Sequence, residues 1–159
     1  MIQDAVNAGI HAARRIKLNS AYKETERRLY SLPILIKKVE EDKAQLSDLL
    51  SQGVPEKSKS IVRFSRTGYR VDPMEMLDAI TQDLQVNIAV NEYEITVLIK
   101  AMKKIQNDAY CFCVIGRYIE NLSNREIAER MFCDVSTVYR NRKRLTRVVS
   151  IWLYGSMAV

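Results

Sequence analysis

An all-α fold is predicted by three features of the sequence. Only 5 glycines and 3 prolines punctuate 159 residues, far fewer than a β-sandwich with a turn every ~8–12 residues would need. Two long stretches, Tyr22 to Leu50 and Pro73 to Gly116, are rich in strong helix formers, with apolar residues gathered on stripes. Two start signals, Asp72-Pro73-Met74-Glu75 and Ser123-Asn124-Arg125-Glu126, put a capping side chain first and an acid at the third helical position. A chain of this length with 47% apolar and 28% charged residues fits one domain or two small ones.

Residues 1–20 form a basic lead (Arg14, Arg15, Lys17) of weak helical pattern, with Asp4 early and no uninterrupted apolar run. A signal peptide is not expected there, and the lone His11 reads as a surface residue. From Tyr22 to Leu50, Ser31 ahead of Pro33 predicts a break near residues 31–33 between two helices or across one kink. Beyond it, Leu35, Val39, Leu46 and Leu49 make one buried stripe. Glu40, Glu41 and Asp42 belong to a solvated face with the neighbouring lysines. Ser51–Ser60 (SQGVPEKSKS) reads as a linker, and Ile61–Arg70 as a short strand or hairpin arm without an obvious partner. The resulting division is 1–50, a helical region; 51–72, a linker; and 73–159, a long helix followed by a C-terminal domain.

The helix beginning at Pro73 carries a heptad pattern. Leu77, Leu84, Asn91, Leu98 and Ile105 occupy one site, and Thr81, Ile88, Ile95 and Met102 the other. Two readings are open. Isoleucine at a and leucine at d, with an in-seam asparagine, suit a parallel two-stranded coiled coil and hence a homodimer through residues 77–105. Alternatively, a break near Asn91–Glu94 separates two helices that bury their stripes within one chain.

The most informative text runs from Asp108 to Gly155. A helix from Tyr110 to Glu120 ends at Asn121-Leu122, and the capping box Ser123/Glu126 opens a second helix, Asn124 to Met131. Ile127 and Ala128 face inward, Val138 is the matching core contact, and Phe132-Cys133-Asp134 is the tight connection. The Asp134 side chain is expected to cap a third helix by accepting from Thr137 N–H, with Cys133 filling the apolar slot beneath. Along that helix Arg140, Arg142, Lys143, Arg144 and Arg147 supply positive charge with no acid after Asp134. Ordinary surface helices mix signs, so this is the pattern of a helix-turn-helix whose last helix enters a DNA major groove.

On that geometry Val135, Ser136, Tyr139, Arg140 and Lys143 meet base edges, with Tyr139 and Arg140 carrying specificity. Thr137 leans toward the core or the phosphate backbone, and Arg142, Arg144 and Arg147 add basic contacts. Ser123, Asn124 and Arg125, at a helix N-terminus, are placed for phosphate. Five to seven neutralised phosphates give a log–log salt slope of roughly −4.5 to −6. Trp152 and Tyr154 are assigned to pinning the last helix on the core.

The segment Leu122-Ser123-Asn124-Arg125-Glu126-Ile127-Ala128-Glu129-Arg130, with Ser136-Thr137-Val138-Tyr139-Arg140 and the arginine-rich continuation, resembles region 4 of sigma-70-type factors. The early block Tyr22-Lys23-Glu24-Thr25-Glu26-Arg27-Arg28-Leu29-Tyr30 and the terminal Trp152-Leu153-Tyr154-Gly155 are similar to the ArpU/RinA family of phage and prophage late-gene regulators. The resemblance covers both ends and leaves residues 51–90 poorly matched. It implies an all-α protein, a helical N-terminal region with a sigma-70 region 4-like C-terminal helix-turn-helix. Its function would be to activate phage late genes with the host RNA polymerase. The departure is Phe132 where a turn glycine is usual, which predicts a wider turn.

Composition agrees with an anionic partner: 25 Lys+Arg against 19 Asp+Glu give a formal charge of +6 and a pI near 9.3. Three cysteines, Cys111, Cys113 and Cys133, in apolar surroundings point to a reducing, cytoplasmic setting rather than to disulfides, and the family resemblance implies that this is the cytoplasm of a bacterial host. Cys-x-Cys on a helix splays its thiols, so no metal site is expected. Neither a phosphate-binding glycine loop nor a catalytic triad can be assembled, so no enzyme and no cofactor are expected. No window approaches the ~20 apolar residues of a membrane span. Two other functions fit the same domain: a DNA-packaging oligomer like a small terminase, and a stand-alone sigma-like factor.

Overall fold

In the computed structural model the described residues are 2–52 and 72–158, and every element among them is helical. Helix α1 spans Ile2–Gln52 and α2 Pro73–Met102. A 3-10 turn, Lys103–Ile105, leads toward α3, Phe112–Val114, which continues as a π turn over Ile115–Ile119. Helix α4 is Asn124–Met131 and α5 Val135–Tyr154, closed by a 3-10 turn at Gly155–Ala158. The strand expected at Ile61–Arg70 and most of the 51–72 linker lie outside the described residues, as do the side chains of His11, Arg14, Arg15 and Lys17.

Helix α2 starts as its sequence predicts. Asp72 accepts from Met74 N–H at 3.2 Å through its carboxylate, and Pro73 takes the first helical position. The break expected at residues 31–33 is absent, since α1 is helical through Pro33. Proline removes one donor there, and Ser31, instead of capping a new helix, donates its hydroxyl to the Arg28 carbonyl at 2.9 Å. Asn91–Glu94 is helical too, so α2 is one helix rather than two.

Two compact units emerge: Ile34–Glu94, and a second formed by the chain up to Pro33 together with everything from Ile95. Within Ile34–Glu94, Val39 and Leu49 of α1 and Ile88 of α2 are buried, and Lys43 pairs with Glu92 at 2.5 Å. Asp42 departs from expectation by being buried. Its spacing, three after Val39 and seven before Leu49, puts it on the inward stripe, where Lys38 holds its two carboxylate oxygens at 2.8 and 2.9 Å.

In the other unit one core cluster joins Leu29 and Leu32 of α1, Leu98 and Ala101 of α2, Ile105, Val114, Tyr118, and Leu145 and Val149 of α5. A second joins Cys113, Ile127, Ala128 and Val138, so the contact expected between Ala128 and Val138 is present. Each fully buried leucine or valine contributes about 1.5–3 kcal/mol, against about 0–1 kcal/mol for an exposed ion pair. Apolar burial therefore sets how these helices sit. In the heptad stripe Ile88, Leu98 and Ile105 are buried, and Leu77, Thr81, Leu84, Asn91, Ile95 and Met102 are half-buried. Ile95, Leu98, Met102 and Ile105 of the stripe pack in the core cluster of this unit.

The end of α5 is fixed to α1 by Arg28, whose Nη1 donates to the Tyr154 hydroxyl at 3.2 Å while its guanidinium lies 5.5 Å from the ring centre. Trp152 does not share that packing role. It lies off the Leu145, Val149 and Leu153 stripe, is 58% exposed, and carries the Lys104 ammonium 4.4 Å from its ring centre.

Candidate nucleic-acid interface

The supporting frame is built from the residues between Asp108 and Asp134. The helix expected over Tyr110–Glu120 is shorter in α-form, three residues of α3 and then the π turn. Asn121 ends it in the left-handed region at φ 54°. Gly116 sits where this turn crosses α4, and a Cβ there would meet Ile127 Cγ1 at 3.1 Å. Close approach, not a turn, is what requires glycine. The buried Cys113 thiol lies 3.5 Å from Met131 Sδ, and burial pushes its pKa up to about 11.

Helix α4 begins with the predicted capping box. Glu126 N–H donates to Ser123 Oγ at 3.2 Å, and Ser123 N–H donates to Glu126 Oε2 at 2.7 Å. The hydrogen bonds from Ser123 hold the Glu126 carboxyl below its ordinary range. At the other end Phe132 adopts φ 52°, ψ 45°. Cys133 N–H reaches the Ala128 carbonyl at 3.1 Å and Phe132 N–H the Glu129 carbonyl at 3.4 Å. These two bonds define a Schellman motif. The wider turn expected from the missing glycine is therefore not found: phenylalanine itself takes the left-handed conformation, at about 1–2 kcal/mol of backbone cost, and its ring is 96% exposed.

Asp134 is the N-cap of α5 by backbone geometry, but its carboxylate makes no capping bond. Thr137 N–H donates instead to the Asp134 carbonyl at 2.9 Å, as does Val138 N–H at 3.1 Å. A tight first turn has displaced the side-chain cap. Cys133 packs against the second core cluster, as expected.

The predicted contact residues separate into free and engaged groups. Ser136, Tyr139, Arg140, Lys143, Arg144 and Arg147 line one shallow concavity on α5. Among them Arg140, Lys143 and Arg147 are exposed and form no ion pair among the described residues. Val135 is exposed at the helix start, and Thr137 is half-buried against the core side. Arg144 Nη2 donates to both carboxylate oxygens of Asp108, at 3.0 and 2.8 Å, and its Nε and Nη2 donate to Asn141 Oδ1 at 3.2 and 3.1 Å. The Tyr110 backbone N–H and then Arg144 hold the Asp108 carboxyl below its usual range.

Arg142 does not line that concavity. Its Nη1 donates to Asn124 Oδ1 at 2.7 Å, its guanidinium lies 5.5 Å from the Tyr139 ring centre, and its Nε is buried without a partner among the described residues. It locks α5 to the start of α4. Of the α4 residues placed for phosphate, Asn124 is thus spoken for, Ser123 is occupied in the capping box, and Arg125 remains outward, paired only with Glu129 at 3.1 Å in solvent.

An acid facing the basic helix therefore exists, although none follows Asp134 along it. Asp108, 36 residues before Arg144, comes from the loop ahead of α3. Only tertiary structure could reveal it. Behind the frame, Tyr118 donates to Glu26 Oε1 at 2.6 Å and lies 3.3 Å from Thr146 Oγ1. Burial and the bond to Glu26 push this phenol well above its usual range. Comparison of the chain with protein-family models, with curated proteins and with solved structures finds no match.

Proposed function

We propose that residues 108–155 form a helix-turn-helix of the sigma-70 region 4 type that binds double-stranded DNA, and that the protein regulates transcription. The observation carrying this reading is the cationic face of Arg140, Lys143 and Arg147, unpaired among the described residues and flanked by Ser136 and Tyr139, on the first four turns of a helix seated by a capping box and a Schellman turn. Such a helix offers its N-terminal residues to base edges while the cations neutralise phosphate. Arg125 adds a phosphate contact from α4. The resemblance of the same segment, and of the chain's two ends, to late-gene regulators extends the proposal to activation of phage late genes with the host RNA polymerase in the bacterial cytoplasm. DNA and polymerase are the partners. A homodimer through residues 77–105 would draw on Leu77, Thr81, Leu84 and Asn91, which are half-buried, since Leu98 and Ile105 are already buried in a core.

The test is footprinting of the full chain on its phage's intergenic DNA with excess nonspecific competitor, at several salt concentrations. A discrete protected site that survives competitor is the expected result. With Arg142 held by Asn124 and Arg144 by Asp108 and Asn141, about four outward cations without such ties remain, and the log–log salt slope should be near −3.6. Protection abolished by competitor would return the weight to packaging or nonspecific DNA handling.

A further inference from the structure

Arg140, Lys143, Arg144 and Arg147 recur at spacings of three and four along α5, and all four line the same concavity. Three of them form no ion pair among the described residues, whereas Arg144 is matched by Asp108. Asp108 does not depend on that pair for its place. Its N–H donates to the Ile105 carbonyl at 3.0 Å, its carbonyl accepts from Cys111 N–H at 3.0 Å, and its Oδ1 accepts from Tyr110 N–H at 2.9 Å. The loop ahead of α3 thus sets a carboxylate beside Arg144 by bonds in which Arg144 takes no part. The Tyr110 N–H, first among the groups holding that carboxyl below its ordinary range, keeps it ionised at neutral pH. Stability gains little from the pair, because the Arg144 side chain is 50% exposed and an ion pair open to solvent contributes little.

A carboxylate and a phosphodiester offer a guanidinium the same chemistry, two acceptor oxygens sharing one negative charge. We infer that Asp108 is an internal phosphate surrogate: it occupies the Arg144 guanidinium in place of a DNA backbone phosphate and so limits how many phosphates the basic face of α5 can grip. This rests on the proposed DNA binding and names a residue that sets its strength. Phosphate contacts carry no sequence information. A cation withheld by Asp108 therefore lowers affinity for every duplex alike, and the choice of site stays with the residues that meet base edges.

The test is Asp108→Asn in the full chain, which keeps an acceptor for Tyr110 N–H and removes the charge. Affinity is measured over a range of salt on two duplexes, the protected site and a scrambled one. One freed cation adds about −0.9 to the log–log slope, taking it from near −3.6 to near −4.5, and affinity at the lowest salt should rise about threefold or more on both duplexes. Asp48→Asn, which removes the same charge from an exposed position of the Ile34–Glu94 unit, should move the slope by less than about 0.3. Equal shifts in the two variants would reduce the effect to net charge and overturn the inference, as would an unchanged slope or weaker binding by a stably folded Asp108→Asn. Should Asp108→Asn melt well below wild type, Asp108→Ser, whose hydroxyl can also accept from a nearby N–H, is judged by the same criteria; unfolding of both would make Asp108 a structural residue and overturn its surrogate role. A wild-type protein that binds neither duplex overturns the DNA-binding reading itself, whereas one that binds with a slope Asp108→Asn merely reproduces overturns the surrogate role alone.

Discussion

At the scale of single residues, two arginines two positions apart on α5 should behave oppositely. Arg140 is exposed and unpaired among the described residues, whereas Arg142 donates to Asn124 and carries the α4–α5 junction. Arg140→Ala should leave the melting temperature unchanged and weaken binding to the protected site by about 1–3 kcal/mol, with little loss on scrambled duplex, if it reads a guanine bidentately. Equal losses on both duplexes would remove it from base recognition. Arg142→Ala should lower stability by roughly 1–2 kcal/mol, the worth of a charge-assisted hydrogen bond in a half-buried setting. Thermal unfolding without DNA reads this directly. Sequence alone could not separate the pair, because both are arginines in one basic run. The distinction comes from Asn124, 18 residues upstream, a partner chosen by the packing of α4 on α5.

Among elements, the most legible were those whose ends are encoded by local chemistry. Asp72-Pro73 starts α2, and Ser123 with Glu126 starts α4, because capping needs only residues three apart. Removing the α4 cap by Ser123→Ala should cost about 1 kcal/mol, measured as a lower denaturation midpoint. The box is also pH-sensitive. Glu126 has its folded-state pKa lowered, so its contribution is complete above the ordinary carboxyl range and is lost as pH falls through the folded value. The stability difference between wild type and Glu126→Gln should accordingly shrink as pH falls from the ordinary carboxyl range through the lowered folded value, below which both side chains are neutral. Less legible were the elements decided by tertiary demands. Pro33 reads as a break, yet α1 passes through it; Asp134 reads as a side-chain cap, yet its carbonyl does the work. The α3 segment reads as a plain helix, but its approach to Ile127 at Gly116 is met by a π turn that no local pattern announces.

For the whole molecule, the all-α architecture was legible from scarce glycine and proline and from the stripes, whereas the way distant segments combine was not. Periodicity shows that a helix has a face to bury and leaves open what covers it. Here Leu29 and Leu32 of α1 share a core with Val114, Tyr118, Leu145 and Val149, and Glu26 takes the Tyr118 hydroxyl. A fragment of residues 95–159 would keep the capping box and the Schellman turn but lose those apolar and polar partners. It should therefore show no cooperative thermal transition by circular dichroism, and adding residues 20–33 as a peptide should restore one. Cooperative melting of the fragment alone would show the α1 contacts to be dispensable. The same pairing constrains biosynthesis. Arg28 waits for Tyr154, 126 residues later, which at bacterial elongation rates of about 5–20 residues per second is an interval of roughly 6–25 s. Through that interval the nascent chain carries Leu29 and Leu32 without the core that buries them, so this unit cannot complete its fold before Tyr154 has been synthesised. Its N-terminal helix is, until then, a natural client for chaperones.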